Sequence, residues 1–206
     1  MEEINISEMQ RDALQEVANI GASHAATALS KLVQRDIKIM IPRVEVTSFE
    51  KITEAYRNEE TIIAILLKIS NEIPSYALLL LTRRSAFNLA DILLQQKSEQ
   101  NKIELTDIER SALEEVGNIT MCAFFDSLAE LLHIPIVPGP PALAYDIPSA
   151  VMDYIFIKIG EIADKIFVFD TVVQDEKDES FAISLLLVPE PKSINTILEK
   201  LGMLNM

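Results

Sequence analysis

The chain has 206 residues, 49% hydrophobic and 24% charged, which supplies enough apolar length for a real core and excludes a disordered polymer. Its net charge is −14 without any Lys/Arg-rich cluster, which excludes a phosphate-backbone binder and an anionic membrane surface, since both need clustered cations. Cys122 is the single cysteine, so no intramolecular disulfide framework is possible; the acidic opening MEEINISEMQ carries no signal-peptide pattern, and apolar runs such as Tyr76–Leu81 are only strand-sized. A cytoplasmic protein is expected.

The first element is a long helix over about 7–34. Leu14, Val17, Ala18, Gly21, Ala25, Ala28 and Leu32 fall on one stripe at helical period, with Leu29 at its edge and Ser7 as N-cap. Small residues dominate the middle of that stripe, so a close-packed neighbour is expected. From Asp36 to Val46 the alternation of Ile37, Ile39 and Ile41, then Val44 and Val46, predicts a strand broken at Pro42. A short helix is one reading of Phe49–Arg57. Thr61–Ile69 and Ser75–Thr82 form a β-rich pair around the turn NEIP, and Arg84–Leu94 returns to helical spacing. The polar stretch QQKSEQNK then separates two halves, about 1–98 and 104–206.

The pattern restarts after that linker. Thr106 caps a second long helix with the stripe Leu113, Val116, Gly117, Thr120, Phe124, Leu128 and Leu131. Ile134–Tyr145 is extended and proline-rich, and Val151, Met152, Ile155, Phe156 and Ile159 predict a helix over about 147–162. Lys165–Val173 and Ser180–Val188 form another hairpin around QDEKDE, and Ser193–Leu201 closes the chain as a helix. Each half therefore runs long helix, strand, helical insert, hairpin, helix. The expected fold is a single α+β domain, internally duplicated with pseudo-two-fold symmetry, whose one antiparallel sheet of about six strands is flanked by the two long helices.

The duplication has a chemical core. Asp12 and Ser111, Glu16 and Glu115, Asn19 and Asn118, and Pro42 and Pro141 are each 99 residues apart, so both copies read [D/S]-x3-E-x2-N-x22-P. Residues at i, i+4 and i+7 share a helix face. Asp12, Glu16, Asn19, Ser23 and Thr27 thus line up opposite the first apolar stripe, and Ser111, Glu115, Asn118, Cys122 and Asp126 opposite the second. A single E-x-x-N on an acidic helix would ordinarily be solvated surface. Asparagine is only a middling helix former, however, and its recurrence with glutamate and proline sets this pair apart. An asparagine amide does not titrate and cannot act as a base, but it can donate to and accept from a water molecule. That suits holding a nucleophilic water in line with a phosphoryl group on another protein.

With ANIGASHAATALS following the first glutamate and GNITMCAFFDSLAELL the second, the doubled signature resembles the CheC–CheX–FliY family of chemotaxis phosphatases along essentially the whole chain. Two copies in this length are similar to the CheC branch. The resemblance implies a phosphatase acting on the aspartyl phosphate of a CheY-type receiver. Asn19 and Asn118 would orient the attacking water, and Glu16 and Glu115 would pair with the receiver's active-site lysine. No cofactor of the chain's own is implied, because the receiver brings Mg²⁺ with its phosphoaspartate. The resemblance also implies binding of CheD, a receptor deamidase, through Ala144–Asp153 with Asp146 as the contact, and a monomeric chain. Ser23, His24 and the added charge of Asp126 depart from the common pattern.

The remaining candidates favour structural roles. His24 and His133 are distant in sequence, and Cys122 to His133 matches no common zinc spacing, so no metal site is expected. Gly21 and Gly117 fit close packing, and no phosphate-binding glycine loop is present. Pro42 and Pro141 shape the passage into each strand, and QDEKDE reads as a solvated tip. A rival to the phosphatase is a non-catalytic adapter that binds CheD, phosphorylated CheY or both, with Glu and Asn serving as contact residues.

Overall fold

The computed structural model describes residues 6–96, 102–159, 165–175 and 180–203. Most of QQKSEQNK, the end of the helix expected to reach Ile162, and the tip of QDEKDE lie outside the described residues.

Helix caps define the two long helices. Ser7 and Thr106 each close a capping box, with Gln10 and Glu109 as the reciprocal partners, so two otherwise orphaned N–H groups are satisfied at each start. Both helices end in a left-handed residue, Gln34 at φ 54° and His133 at φ 53°. Helices α1 (Glu8–Val33) and α4 (Asp107–Leu132) therefore begin, cap and end 99 residues apart, and His133 is a helix terminus. Burial pushes the Glu109 carboxyl up, but the Lys102 ammonium at 2.6 Å and hydrogen bonds from Thr106 outweigh it and hold it below its ordinary range.

After α1 come β1 (Lys38–Thr47), α2 (Phe49–Ala55), β2 (Ile62–Asn71), β3 (Ser75–Thr82) and α3 (Arg83–Leu94). After α4 come β4 (Ile136–Pro138), β5 (Ala142–Asp146), α5 (Pro148–Ile159), β6 (Ile166–Gln174), β7 (Ser180–Pro189) and α6 (Pro191–Met203). The seven strands form one antiparallel sheet in the order β1-β6-β7-β3-β2-β4, with β5 also on β2. The count exceeds six because the second edge strand is split around Gly139–Pro141, where consecutive prolines supply no ladder N–H. In the first half Pro42 does not cut β1, but the pairing register shifts between Met40 and Arg43.

The strand order is a palindrome of the two halves. Strand β1 of the first half pairs with the hairpin of the second, and β4 and β5 of the second pair with the hairpin of the first. The hairpins join at the centre through β3 and β7.

Helices α1, α3, α4 and α6 cover one face of the sheet over Ile63, Ile65, Leu67, Phe167 and Phe169. On the other face α2 and α5 cover Ile62, Ala64, Leu66, Val168 and Leu186. Strands β2 and β3 are buried on both faces, so they read as continuous apolar runs instead of alternating.

Three positions differ from the expected stripes. Leu32 is 52% exposed whereas Leu29 and Val33 are buried, and Leu131 yields its place to Leu132. A stripe drawn at constant angle presumes one neighbour, but α1 meets α4, β1, α6 and α3, and its buried face winds accordingly. Near its end, Gln95 beyond α3 donates to the Val33 carbonyl at 3.1 Å. Phe156, expected in the core, is 55% exposed and meets Phe49 at a ring separation of 6.5 Å.

Candidate active site

The polar rails lie where the helical spacing predicts. Asp12, Glu16, Asn19, Ser23 and Thr27 are all exposed along α1. On α4, Ser111, Glu115 and Asp126 are exposed, while Asn118 and Cys122 are half-buried. Buried Leu14, Val17, Ala18 and Gly21 hold α1 from behind, and Leu113, Val116, Gly117 and Thr120 do the same for α4. Each glutamate–asparagine pair therefore stands on a packed helix with its polar ends toward solvent, Asn118 only partly so.

The first asparagine is tied to the sheet. Gln15 Nε2 donates to the Ile41 carbonyl at 2.6 Å and to Asn19 Oδ1 at 3.2 Å. The next residue after Ile41 is Pro42, so the proline 23 positions downstream of Asn19 is brought to its side. Asn19 and Pro42 share the wall of a groove of about 830 Å³ between α1 and β1, floored by Ala22, Ala26, Ile37 and Ile39. On the other side of Pro42 a hollow of about 410 Å³ is lined by Arg11, Gln15, Arg43 and Glu45, with Arg43 and Glu45 ion-paired.

The second site is built differently. Asn118 Oδ1 accepts from the Cys122 thiol at 3.5 Å. Burial pushes that thiol up, and the nearby charges of Asp126 and Glu115 push it further, so the sulfur keeps its proton and remains a donor. Pro141 lies at the break between β4 and β5, both of which contact α4. Arg110 sits 6.0 Å from the Tyr145 ring centre, and the Tyr145 hydroxyl donates to the Ile103 carbonyl.

Asp146 lies far from this chemistry in role. It is exposed at the end of β5, and its Oδ1 accepts from the Ile147 amide at 2.8 Å at the entry to α5. The departures Ser23 and His24 are exposed, and the Thr27 hydroxyl donates back to the Ser23 carbonyl at 2.9 Å. Among the described residues no three His, Cys, Asp or Glu side chains converge as metal ligands, and no helix is long and apolar enough to cross a membrane.

Three residues lie outside the motif reading. Arg11 and Arg110 are also 99 residues apart, so the same offset could have found them. Gln15 could not be found that way, because its counterpart is Glu114. Only its contact with β1 reveals it.

The model of the CheC-like family matches the chain twice, over residues 9–46 and 108–145, windows that are themselves 99 residues apart. The CheY-P phosphatase CheC of Bacillus subtilis (strain 168) is 24% identical over 204 residues, covering 96% of each chain. The flagellar motor switch phosphatase FliY of the same organism is 30% identical over 137 residues, 66% of this chain and 36% of that protein. Among solved structures, Thermotoga maritima FliY superposes with a TM-score of 0.78 at 20% identity, over 98% of this chain and 100% of that one. The FliM middle domain from H. pylori gives 0.70 at 15% identity, over 95% and 99%. At these identities the structures attest to the shared fold alone.

Proposed function

Because the chain belongs to the CheC-like family, we propose that it hydrolyses the aspartyl phosphate of a CheY-type response regulator, at two sites carried by α1 and α4. The observation that carries this reading is the outward Glu–Asn pair, repeated at one offset on two helices of identical length.

The chemistry asks little of this chain. A water oxygen bonds to phosphorus, the bond from phosphorus to the aspartyl oxygen breaks, and the water loses a proton to solvent. The products are inorganic phosphate and a carboxylate. Since a carboxylate leaves without being protonated, no general acid is required, which fits a site whose key side chain is a non-titrating amide. Asn19 or Asn118 holds the water on the line of attack, converting a collision into a positioned encounter. Glu16 and Glu115, one turn earlier, pair with the receiver's lysine and set the docking register. Mg²⁺ held by the receiver would neutralise phosphoryl charge and so allow a chain of net charge −14 to approach an acidic pocket. Each Glu–Asn pair is carried by a single helix of one chain, which supports a monomer, and a response-regulator substrate fits a cytoplasmic protein.

Phosphate release from a purified phosphorylated receiver tests the reading, since an adapter would bind without accelerating release. Glu16→Lys with Glu115→Lys is expected to raise the KM for the receiver about tenfold or more by opposing like charges. An unchanged KM would refute the lysine pairing.

The α5 face supports a second partner, CheD. Ile147, Phe156 and Ile157 are 51%, 55% and 77% exposed, beside a hollow of about 780 Å³ edged by Glu50, Glu54 and Glu60. Asp146 is exposed just before that helix and is the polar contact this reading assigns to the partner. An Ile157→Asp variant is expected to lose CheD binding in a titration while keeping full phosphate release. Retained binding would remove this face from the interface.

A further inference from the structure

We propose that Gln15 is the positioning residue of the first site, fixing the orientation of the Asn19 amide; the proposal rests on the phosphatase reading above. Gln15 is half-buried between α1 and β1, whereas Asn19 is exposed, so burial alone does not fix its rotamer. A primary amide nitrogen carries two hydrogens, and the two Gln15 bonds use both: one on the Ile41 carbonyl at 2.6 Å, the other on Asn19 Oδ1 at 3.2 Å. The first bond anchors Gln15 to the strand. The second transfers that anchorage to Asn19, one turn along the same helix face.

The consequence is chemical as well as steric. With one lone pair of Oδ1 engaged, the Asn19 amide cannot flip without losing the bond. Its Nδ2 hydrogens and the second Oδ1 lone pair remain available to a water and a phosphoryl oxygen. Because an attacking water must be held to a fraction of an ångström, an anchored amide is worth more than a freely rotating one.

The second half carries an internal comparison. The residue equivalent to Gln15 is Glu114, which as a carboxylate has no hydrogen to donate. There Asn118 Oδ1 is held by the Cys122 thiol at 3.5 Å, a weak donor. The duplicated motif is thus supported by two different devices, and the tether to the sheet through Gln15 belongs to the first.

The test uses the full chain carrying Asn118→Ala, so that phosphate release from a phosphorylated receiver reports the first site. Gln15→Met keeps the length and removes both donors; it is expected to lower kcat about tenfold with KM unchanged. Gln15→Lys, which keeps donors at similar reach, is expected to restore part of that loss. In a chain carrying Asn19→Ala and an intact second site, the effect of Gln15→Met is expected to disappear. An unaltered kcat, a loss carried by KM, or an equal loss once Asn19 is alanine would each overturn the proposal. So would an Asn118→Ala parent that is inactive while the unsubstituted chain is active. If the unsubstituted chain itself fails to accelerate release, the phosphatase reading falls and the proposal falls with it.

Discussion

Replacing Asn19 and Asn118 together by alanine is expected to reduce phosphate release to the receiver's own rate, a loss of roughly a hundredfold or more in acceleration. The size follows from what each amide does. It supplies no proton and no covalent bond, so its whole contribution is orientation of the water, and alanine retains none of it. Stability is expected to stay within about 0.5 kcal/mol, because neither side chain belongs to the core and alanine is the better helix former. A thermal melt beside the release assay separates the two effects. Full residual activity in a folded double variant would eliminate the water-positioning role. The single variants apportion the activity between the sites, where Gln15 supports one amide and Cys122 the other.

The largest effect on stability is expected at Gly21. A Cβ built there meets the Phe124 Cα at 2.8 Å and the Phe124 Cβ and Cδ2 at 3.4 Å. The first of these is main chain, so α1 and α4 would have to part, and Phe124 is itself pinned 4.6 Å from the Phe169 ring. Gly21→Val is expected to cost about 2–3 kcal/mol by overpacking, read as a fall of several degrees in Tm. Gly117 makes a useful contrast. Its added Cβ would meet Ile65 Cδ1 and Cγ2 at 2.8 Å and Cβ at 3.3 Å, atoms of a buried, β-branched side chain that resists turning but whose shift does not require two helix backbones to part. Gly117→Ala is therefore expected to cost less than Gly21→Ala in the same melt. The reverse order would show that the helix crossing has more slack than the core beneath α4.

Much of the site was legible because helical geometry is local. Glu16 and Asn19 share a face by spacing alone, and the copy 99 residues on set them apart from a single match. Arg11 and Arg110 were open to the same comparison. Leu32 was misplaced for a different reason, since its exposure depends on which neighbours wrap the end of α1. Phe156 fits a buried face by period, yet the helix it belongs to shows part of its apolar surface outward.

The amino-acid sequence by itself determined the repeated elements, their caps, the two hairpins and the paired Glu–Asn rails, all of which depend on residues a few positions apart. Tertiary structure alone decided that each edge strand pairs with the other half's hairpin, so that neither half completes its sheet alone. It also decided that Pro42 arrives beside Asn19 and that Gln15 ties the two together through the Ile41 carbonyl. The reason is physical: strand partners and cross-element hydrogen bonds join residues distant along the chain, and periodicity carries no record of such neighbours.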